Sequence, residues 1–291
     1  MRRQLSVIHA STGVPTGESA ISSQIREAVR LDGVTCTFPP SSPKGTPFTA
    51  IRNVSLSVAD GEFVSVVGPT GCGKSTILNI VAGLSRPTSG KLEIFGAPLA
   101  GLNEQAGYLF QSDTLMPWRT ALQNVMLPLE IRGAGHKEAH ALADRWLSKV
   151  GLTHAHDRFP HQLSGGMRKR VALAQMLIRD PKILLMDEPF SALDVQTRLL
   201  MENEVLALWQ ADRKSVIFIT HDLEEAVALS DRVVVLSAGP GTRPIGDFVI
   251  DLPRPRDVSE IRLTEPFMKL QAEIWEVLRD EVVRAYKTNE K

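Results

Sequence analysis

Three short runs in this chain combine residue types that hold phosphates and hydrolyse them. Gly68-Pro69-Thr70-Gly71-Cys72-Gly73-Lys74-Ser75 matches the pattern G-x-x-x-x-G-K-[ST] in full. Its glycines let successive backbone N–H groups turn inward around a phosphate at the start of a helix. Lys74 would then reach the β- and γ-phosphates, and the Ser75 hydroxyl would ligate Mg²⁺. Downstream, Ile183-Leu184-Leu185-Met186 runs without a polar residue into Asp187-Glu188. Four apolar residues bury a strand and leave two carboxylates at its C-terminal end, where open α/β sheets bind ligands. Asp187 would hold Mg²⁺ through water. Glu188 would polarise the attacking water as general base, a role that typically contributes about 10²–10⁴-fold. Between these runs lies Leu163-Ser164-Gly165-Gly166-Met167, whose Ser164 can cap a helix and whose small residues suit an anion at a helix start.

A P-loop, then LSGG, then an apolar strand ending in Asp-Glu resembles the nucleotide-binding subunit of an ABC transporter. The resemblance covers about residues 30–285. It implies ATP and Mg²⁺ as ligands, with Gly68, Pro69, Thr70, Gly71, Cys72, Gly73, Lys74, Ser75 and Thr76 around the phosphates. It also implies a homodimer, in which Ser164, Gly165 and Gly166 contact the γ-phosphate bound to the other subunit. Tyr108-Leu109-Phe110-Gln111 resembles the segment whose glutamine, here Gln111, senses Mg²⁺ and the attacking water. Ser191-Ala192-Leu193-Asp194 resembles the loop at the subunit interface, which brings Asp194 to the nucleotide site. Ile219-Thr220-His221-Asp222 resembles the switch segment, with His221 bonded to the γ-phosphate. Phe38 resembles the aromatic that stacks on adenine, and Phe48, across a long loop, is its rival.

Further runs look like the nitrate/sulfonate/taurine importer branch: Leu115-Met116-Pro117-Trp118-Arg119-Thr120, His161-Gln162 before LSGG, Gly165-Gly166-Met167-Arg168-Lys169-Arg170, and Leu252-Pro253-Arg254-Pro255-Arg256. The branch implies separate integral membrane permease subunits, a periplasmic or lipid-anchored solute-binding protein, and a peripheral position on the cytoplasmic face of the inner membrane. The apolar cluster Leu115, Met116, Pro117, Trp118 and Leu122 follows Gln111 in a segment expected at the surface, where such patches mark partner sites. By resemblance, the permease's coupling helix would dock there.

Composition is that of an ordinary globular protein. Of 291 residues, 43% are apolar and 23% charged, and Lys plus Arg equals Asp plus Glu at 33 each. No basic footprint for nucleic acid is present, and Arg168-Lys169-Arg170 reads as a solvated helix face. No run nears the roughly 18 apolar residues of a membrane span. The start, Met1–Ile8, lacks the apolar core of a secretory signal. Cys36 and Cys72 are too far apart for a metal motif and fit a reducing compartment.

The elements that must position these motifs follow from periodicity. Residues 1–28 read as a mobile leader, 29–250 as the ATPase domain and 251–291 as a C-terminal helical extension. Alternation at Val34, Cys36, Phe38 and at Val54, Leu56, Val58 predicts an antiparallel hairpin leading to the P-loop strand Phe63–Val67. Ile183–Met186, Val216–Ile219 and Val233–Leu236 are wholly apolar, as strands buried on both faces of a parallel sheet must be. Residues 112–181 read as mainly helical. The tail carries Phe267, Leu270, Ile274, Leu278 and Val282 in one stripe that should pack on its own domain. The expected architecture is α/β: a RecA-like P-loop ATPase core, an antiparallel β-subdomain and an α-helical subdomain. The alternative function is a soluble ABC-type ATPase acting on DNA or the ribosome. Its DNA-repair form needs a long coiled coil between P-loop and LSGG, and its translation form needs two motif sets; neither is present. A small-molecule kinase would leave LSGG and His221 unexplained.

Overall fold

A computed structural model describes residues 26–40, 42, 45–112 and 114–289. Two sheets share the chain. The smaller has the order β2-β1-β4-β5, built from β1 (Glu27–Phe38), β2 (Phe48–Ala59), β4 (Ser89–Ile94) and β5 (Ala97–Pro98), all pairs antiparallel. The larger has the order β10-β9-β3-β8-β7-β6. It joins β3 (Phe63–Val67), β6 (Ala106–Leu109), β7 (Ile183–Asp187), β8 (Ser215–Ile219) and β9 (Arg232–Leu236) in parallel, with β10 (Pro244–Val249) antiparallel at the edge. The predicted hairpin is β1–β2. The P-loop strand then leaves it and pairs in the other sheet, between β8 and β9. Of the expected leader, residues 1–25 lie outside the described residues, while Glu27 and Ala28 already belong to β1.

Every residue of β3, β7 and β8 is buried, because both faces of the larger sheet are covered. Alternate side chains feed two cores. Phe63, Leu184, Met186, Val216, Phe218 and Val235 join the helices on one face. Val64, Val66, Ile183, Leu185, Ile217 and Val234 face α1 (Lys74–Val81) and the antiparallel sheet. The helical segment contains α2 (Ala121–Ile131), α3 (His136–Lys149), a 3₁₀ turn at Pro160–Gln162, and α4 (Gly165–Leu177). Thr120 and Gln123 close a capping box on α2: Gln123 N–H donates to Thr120 Oγ1 at 3.3 Å, and Thr120 N–H donates to Gln123 Oε1 at 3.0 Å. Helix α5 (Val195–Ala211) follows β7, and α6 (Leu223–Leu229) follows β8.

The C-terminal segment folds back onto the core. Helix α7 (Val258–Ile261) is capped by Asp257, and the long α8 (Glu265–Asn289) buries Phe267, Ile274 and Leu278, with Leu270 and Val282 packed beside them. Burial of each such side chain is worth about 1.5–3 kcal/mol. The stripe therefore packs on its own domain. Arg256 is buried among backbone carbonyls, donating to those of Val227, Ala228, Ser230, Ile250 and Leu252. Burial pulls its guanidinium down to about 10. Strand β10 went unforeseen in the sequence, since it alternates only weakly, with Ile245 and Val249 outward, and the helical tail is split into the single turn α7 and the long α8.

Candidate functional site

The P-loop lies between β3 and α1. Gly71 and Gly73 sit at φ +76° and +104°, the left-handed region that glycine alone enters without strain. A methyl group on Gly73 would also press on Ile51 and the Ala50 carbonyl of β2. Lys74, only 5% exposed, folds its Nζ into the loop and donates to the carbonyls of Gly68 at 2.9 Å and Pro69 at 3.1 Å. Cys72 is buried behind the loop, and burial pushes its thiol up. Its N–H donates to the Pro69 carbonyl, and that of Thr76 to the Gly73 carbonyl.

Strand β7 delivers Asp187 and Glu188 beside this loop, and the two carboxylates meet different surroundings. Asp187 is held by the Ser75 side chain and by the Tyr108 hydroxyl, which donates across 3.5 Å and also bonds Asn79 Oδ1. Burial raises the Asp187 carboxyl above its ordinary range, and the Ser75 hydrogen bond opposes part of the rise. Burial and the Asp187 charge together push the Tyr108 phenol up. Glu188 adopts φ +42°, an uncommon conformation for a non-glycine residue and one that clusters at functional sites. Its backbone N–H donates to the Ile219 carbonyl, and Ser191 Oγ donates to the Glu188 carbonyl, so the unusual turn is over-determined. Its side chain collects three predicted residues. Gln111 Nε2 donates to Oε2 at 3.0 Å, His221 Nδ1 stands 3.2 Å from the same oxygen, and Lys74 Nζ is 3.9 Å from Oε1. Residues from three distant parts of the sequence thus converge on the Glu188 carboxylate.

The donor set suits a hard cation. Ser75 and Asp187 supply oxygens side by side, as Mg²⁺ requires. Among the described residues no group of three or more His, Cys, Asp or Glu could hold a metal alone. Mg²⁺ here would therefore need phosphate oxygens and water to fill its shell, which is its usual mode with nucleotides.

The other predicted residues gather elsewhere. Ser164 caps α4 by accepting from Met167 N–H, and Asp194 caps α5 by accepting from Thr197 N–H. The two helix starts touch: a methyl group on Gly166 would collide with the Thr197 side chain, whereas one on Gly165 would clear Leu193 at 3.8 Å. Among the described residues no hydrogen bond or ion pair joins Ser164, Gly165 or Gly166 to the P-loop, Glu188 or His221. Phe38 and Phe48 are register partners at the end of the β1–β2 hairpin, both well exposed, so both candidates for the adenine face remain at one place. Trp118 is 71% exposed with Pro117 beside it, while Leu115 is buried and Met116 and Leu122 are half-buried.

The basic run Arg168-Lys169-Arg170 is not a solvated face. Lys169, 4% exposed, donates Nζ to the carbonyls of Phe110 at 3.3 Å and Gln111 at 2.6 Å, anchoring the segment that carries Gln111. Arg170 pairs with Glu204, and Arg168 donates to the Leu163 carbonyl. The sequence held a signal for Lys169: it shares a helical face with the apolar Ala172, Leu173 and Met176. Arg198 was also missed. It donates to the Leu193 carbonyl and to Asp222, and approaches Glu225, whose carboxylate accepts from the Thr220 hydroxyl at 2.6 Å. The arginine joins the loop ending at Asp194 to the one bearing His221.

A P-loop on the central strand β3 of a parallel sheet, with paired carboxylates at the end of β7 on the far side of β8, defines a P-loop nucleoside triphosphatase fold. Comparison with known proteins narrows the class. Residues 51–191 match the family model described as ABC transporter. An uncharacterized ABC transporter ATP-binding protein of Methanocaldococcus jannaschii is 48% identical over 244 residues, covering 84% of this chain and 89% of the relative. A nitrate import ATP-binding protein of Synechocystis sp. is 43% identical over 235 residues, covering 79% and 88% respectively. The dimeric, post-hydrolysis structure of an ATP-binding cassette bound to ADP and phosphate superposes with a TM-score of 0.68 at 34% identity, over 77% of this chain and all of that one. The chain belongs to the ABC transporter ATP-binding family, and it is an ATP-hydrolysing transport subunit. These relatives are transport proteins, which favours that reading over the DNA- or ribosome-acting alternative. Among the described residues no helix is long and apolar enough to cross a membrane.

Proposed function

We propose that this chain powers an importer of a small anionic solute, of the nitrate, sulfonate or taurine class. It would work as a homodimer, bound peripherally to two permease subunits on the cytoplasmic face of the inner membrane, with a periplasmic or lipid-anchored solute-binding protein on the far side. The observation that carries the ATPase part is the convergence of Gln111, His221 and Lys74 on Glu188. The anionic substrate class is supported by the nitrate import relative.

Inward-facing P-loop N–H groups would wrap the ATP phosphates, and Lys74 would exchange the Gly68 and Pro69 carbonyls for β- and γ-phosphate oxygens. Ser75 and Asp187 would hold Mg²⁺, which when bound neutralises charge developing on the phosphates. Glu188 would take a proton from the attacking water, with the Gln111 amide orienting that water and His221 held within reach of the γ-phosphate. Phe38 or Phe48 would cover the adenine. Ser164, Gly165, Gly166 and Asp194 would complete the site of the other subunit. Trp118, exposed beside the Gln111 segment, would anchor the permease contact, since exposed tryptophan is favoured at interface centres.

Co-expression with its permease tests the whole reading. The permease should co-purify with the native chain and about tenfold less with Trp118→Ala, whose isolated subunit should melt within a few degrees of the parent. Equal recovery of permease by the two chains would remove Trp118 from the interface. Failure of the native chain to retain any membrane protein would remove the transporter assignment.

A further inference from the structure

The C-terminal helix ends against the back of the nucleotide-binding wall. Glu281 of α8 is 7% exposed, an unusual place for a carboxylate unless it is paired. Its Oε2 accepts the backbone N–H of Ala238 at 2.8 Å, and its Oε1 accepts from Arg284 at 2.6 Å. Ala238 belongs to the tight loop between β9 and β10, closed by Ser237 N–H donating to the Arg243 carbonyl and by Arg243 N–H donating to Ser237 Oγ.

That loop braces two parts of the proposed ATP site at once. A methyl group built on Gly239 would stand 3.4 Å from Cys72 Cα and 3.6 Å from the Gly71 carbonyl oxygen, so the loop backbone lies directly on the P-loop. On its other side Gly241 N–H donates to the Thr49 carbonyl at 2.7 Å, Thr242 N–H to Ala50, and Arg52 N–H to Thr242. Residues 49–52 belong to the end of β2 next to Phe48, and Ala50 and Ile51 in turn contact Gly73. The path from helix to phosphate loop is therefore a continuous set of backbone contacts, with the Glu281 carboxylate at its outer end.

We infer that Glu281 is a positioning residue for nucleotide binding: by holding Ala238 it sets the loop against which the P-loop and the adenine-side hairpin are formed. The inference rests on reading Gly68–Ser75 as the ATP site. Its kinetic signature follows from the sheet order. Strand β9, from which the loop emerges, is separated from β7 by β3 and β8, so Asp187 and Glu188 keep their own supports. Loss of the Glu281 bond should weaken ATP binding and leave the chemical step alone.

The test compares full-length wild type, Glu281→Ala and Glu281→Gln, measuring KM for ATP, kcat at saturating ATP and the affinity for a fluorescent ATP analogue. Glu281→Ala should raise KM and the analogue's Kd about three- to tenfold, because a hydrogen bond to a charged acceptor is lost, with kcat within twofold. Glu281→Gln, which keeps an acceptor for Ala238, should restore most of the affinity. Unchanged KM in the alanine variant, kcat falling along with affinity, or a glutamine variant as weak as alanine would overturn the inference. Hydrogen exchange on the wild type covers a variant that fails to fold: the Ala238 amide should be as protected as β9, and rapid exchange would count against the role. Failure of the ATP-site reading is distinguishable, because wild type itself would then not bind the analogue.

Discussion

The two ends of the site differ in how complete they are within one chain. Around Glu188, side chains from the P-loop, the Gln111 segment and the His221 segment already touch. Around Ser164 the hydroxyl caps its own helix, Gly166 abuts Thr197 of the next helix start, and a methyl group on Gly165 would meet nothing nearer than Leu193 at 3.8 Å. The first region has the preorganised contacts that the proposed catalytic role needs. The second is a helix N-terminus with small residues, the kind of end that suits a phosphate, and in the proposed dimer another chain would bring that phosphate. That asymmetry supports the proposed dimer better than either motif alone. Arg198 ties the loop before Asp194 to the loop bearing His221, so changes in one half can be felt in the other.

The sharpest way to break the comparison is at the complete half. Glu188→Gln should lower ATP turnover by at least about 10²-fold, with ATP binding retained, because the amide keeps the shape and loses the base. Near-normal hydrolysis would show that the convergence on Glu188 is structural. A smaller effect should come from the anchor beneath it. Lys169→Met removes the donor to the Phe110 and Gln111 carbonyls while preserving the buried stem. About a tenfold fall in kcat at unchanged ATP affinity is expected, since two charge-assisted bonds holding Gln111 disappear. A fall in affinity instead would place Lys169 in binding.

The link between the halves predicts the smallest effect. Burial pushes the Glu225 carboxyl up to about 7 from an ordinary 4.5, despite the opposing Thr220 bond. The folded chain therefore holds this proton more tightly than the unfolded one. That stability is fully present below pH 4.5 and is lost as pH rises through about 7. Glu225→Gln should remove the dependence. Between pH 5.5 and 8 the wild-type melting temperature should fall by a few degrees relative to the variant. Parallel curves would mean that Glu225 stays ionised throughout.

Much of this arrangement was legible in the sequence because the central parallel strands are short and almost wholly apolar, and β3, β6, β7 and β8 each lead into a motif at the C-terminal end. Ile183–Asp187 and Ser215–Ile219 announce both their burial and the place of Glu188 and His221. Arg198, Arg256 and Glu281 were not legible as site or core residues, and Lys169 only through the apolar face it shares with Ala172, Leu173 and Met176. Each is a charged side chain whose partners are backbone carbonyls, backbone N–H groups or carboxylates far along the chain. A charge run such as Arg168-Lys169-Arg170 looks solvated until the fold supplies those partners. The sheet exchange between β2 and β3 was hidden for a related reason: two strands adjacent in sequence usually pair, and here Phe63–Val67 pairs instead with strands more than a hundred residues downstream.

The claim that each site needs two chains is tested most directly by mixing two inactive variants. Lys74→Ala destroys the P-loop half. Gly165→Asp places a carboxylate where the partner's γ-phosphate would sit, and within its own chain the side chain has room. Each variant alone should hydrolyse ATP at background rate. A heterodimer of the two retains one site with an intact P-loop from the Gly165→Asp chain and an intact Ser164–Gly166 segment from the Lys74→Ala chain. Mixing should therefore restore a substantial part of the activity, greatest near equal proportions of the two chains. Activity that stays at background at every ratio, while the two chains are shown to associate, would contradict the composite site.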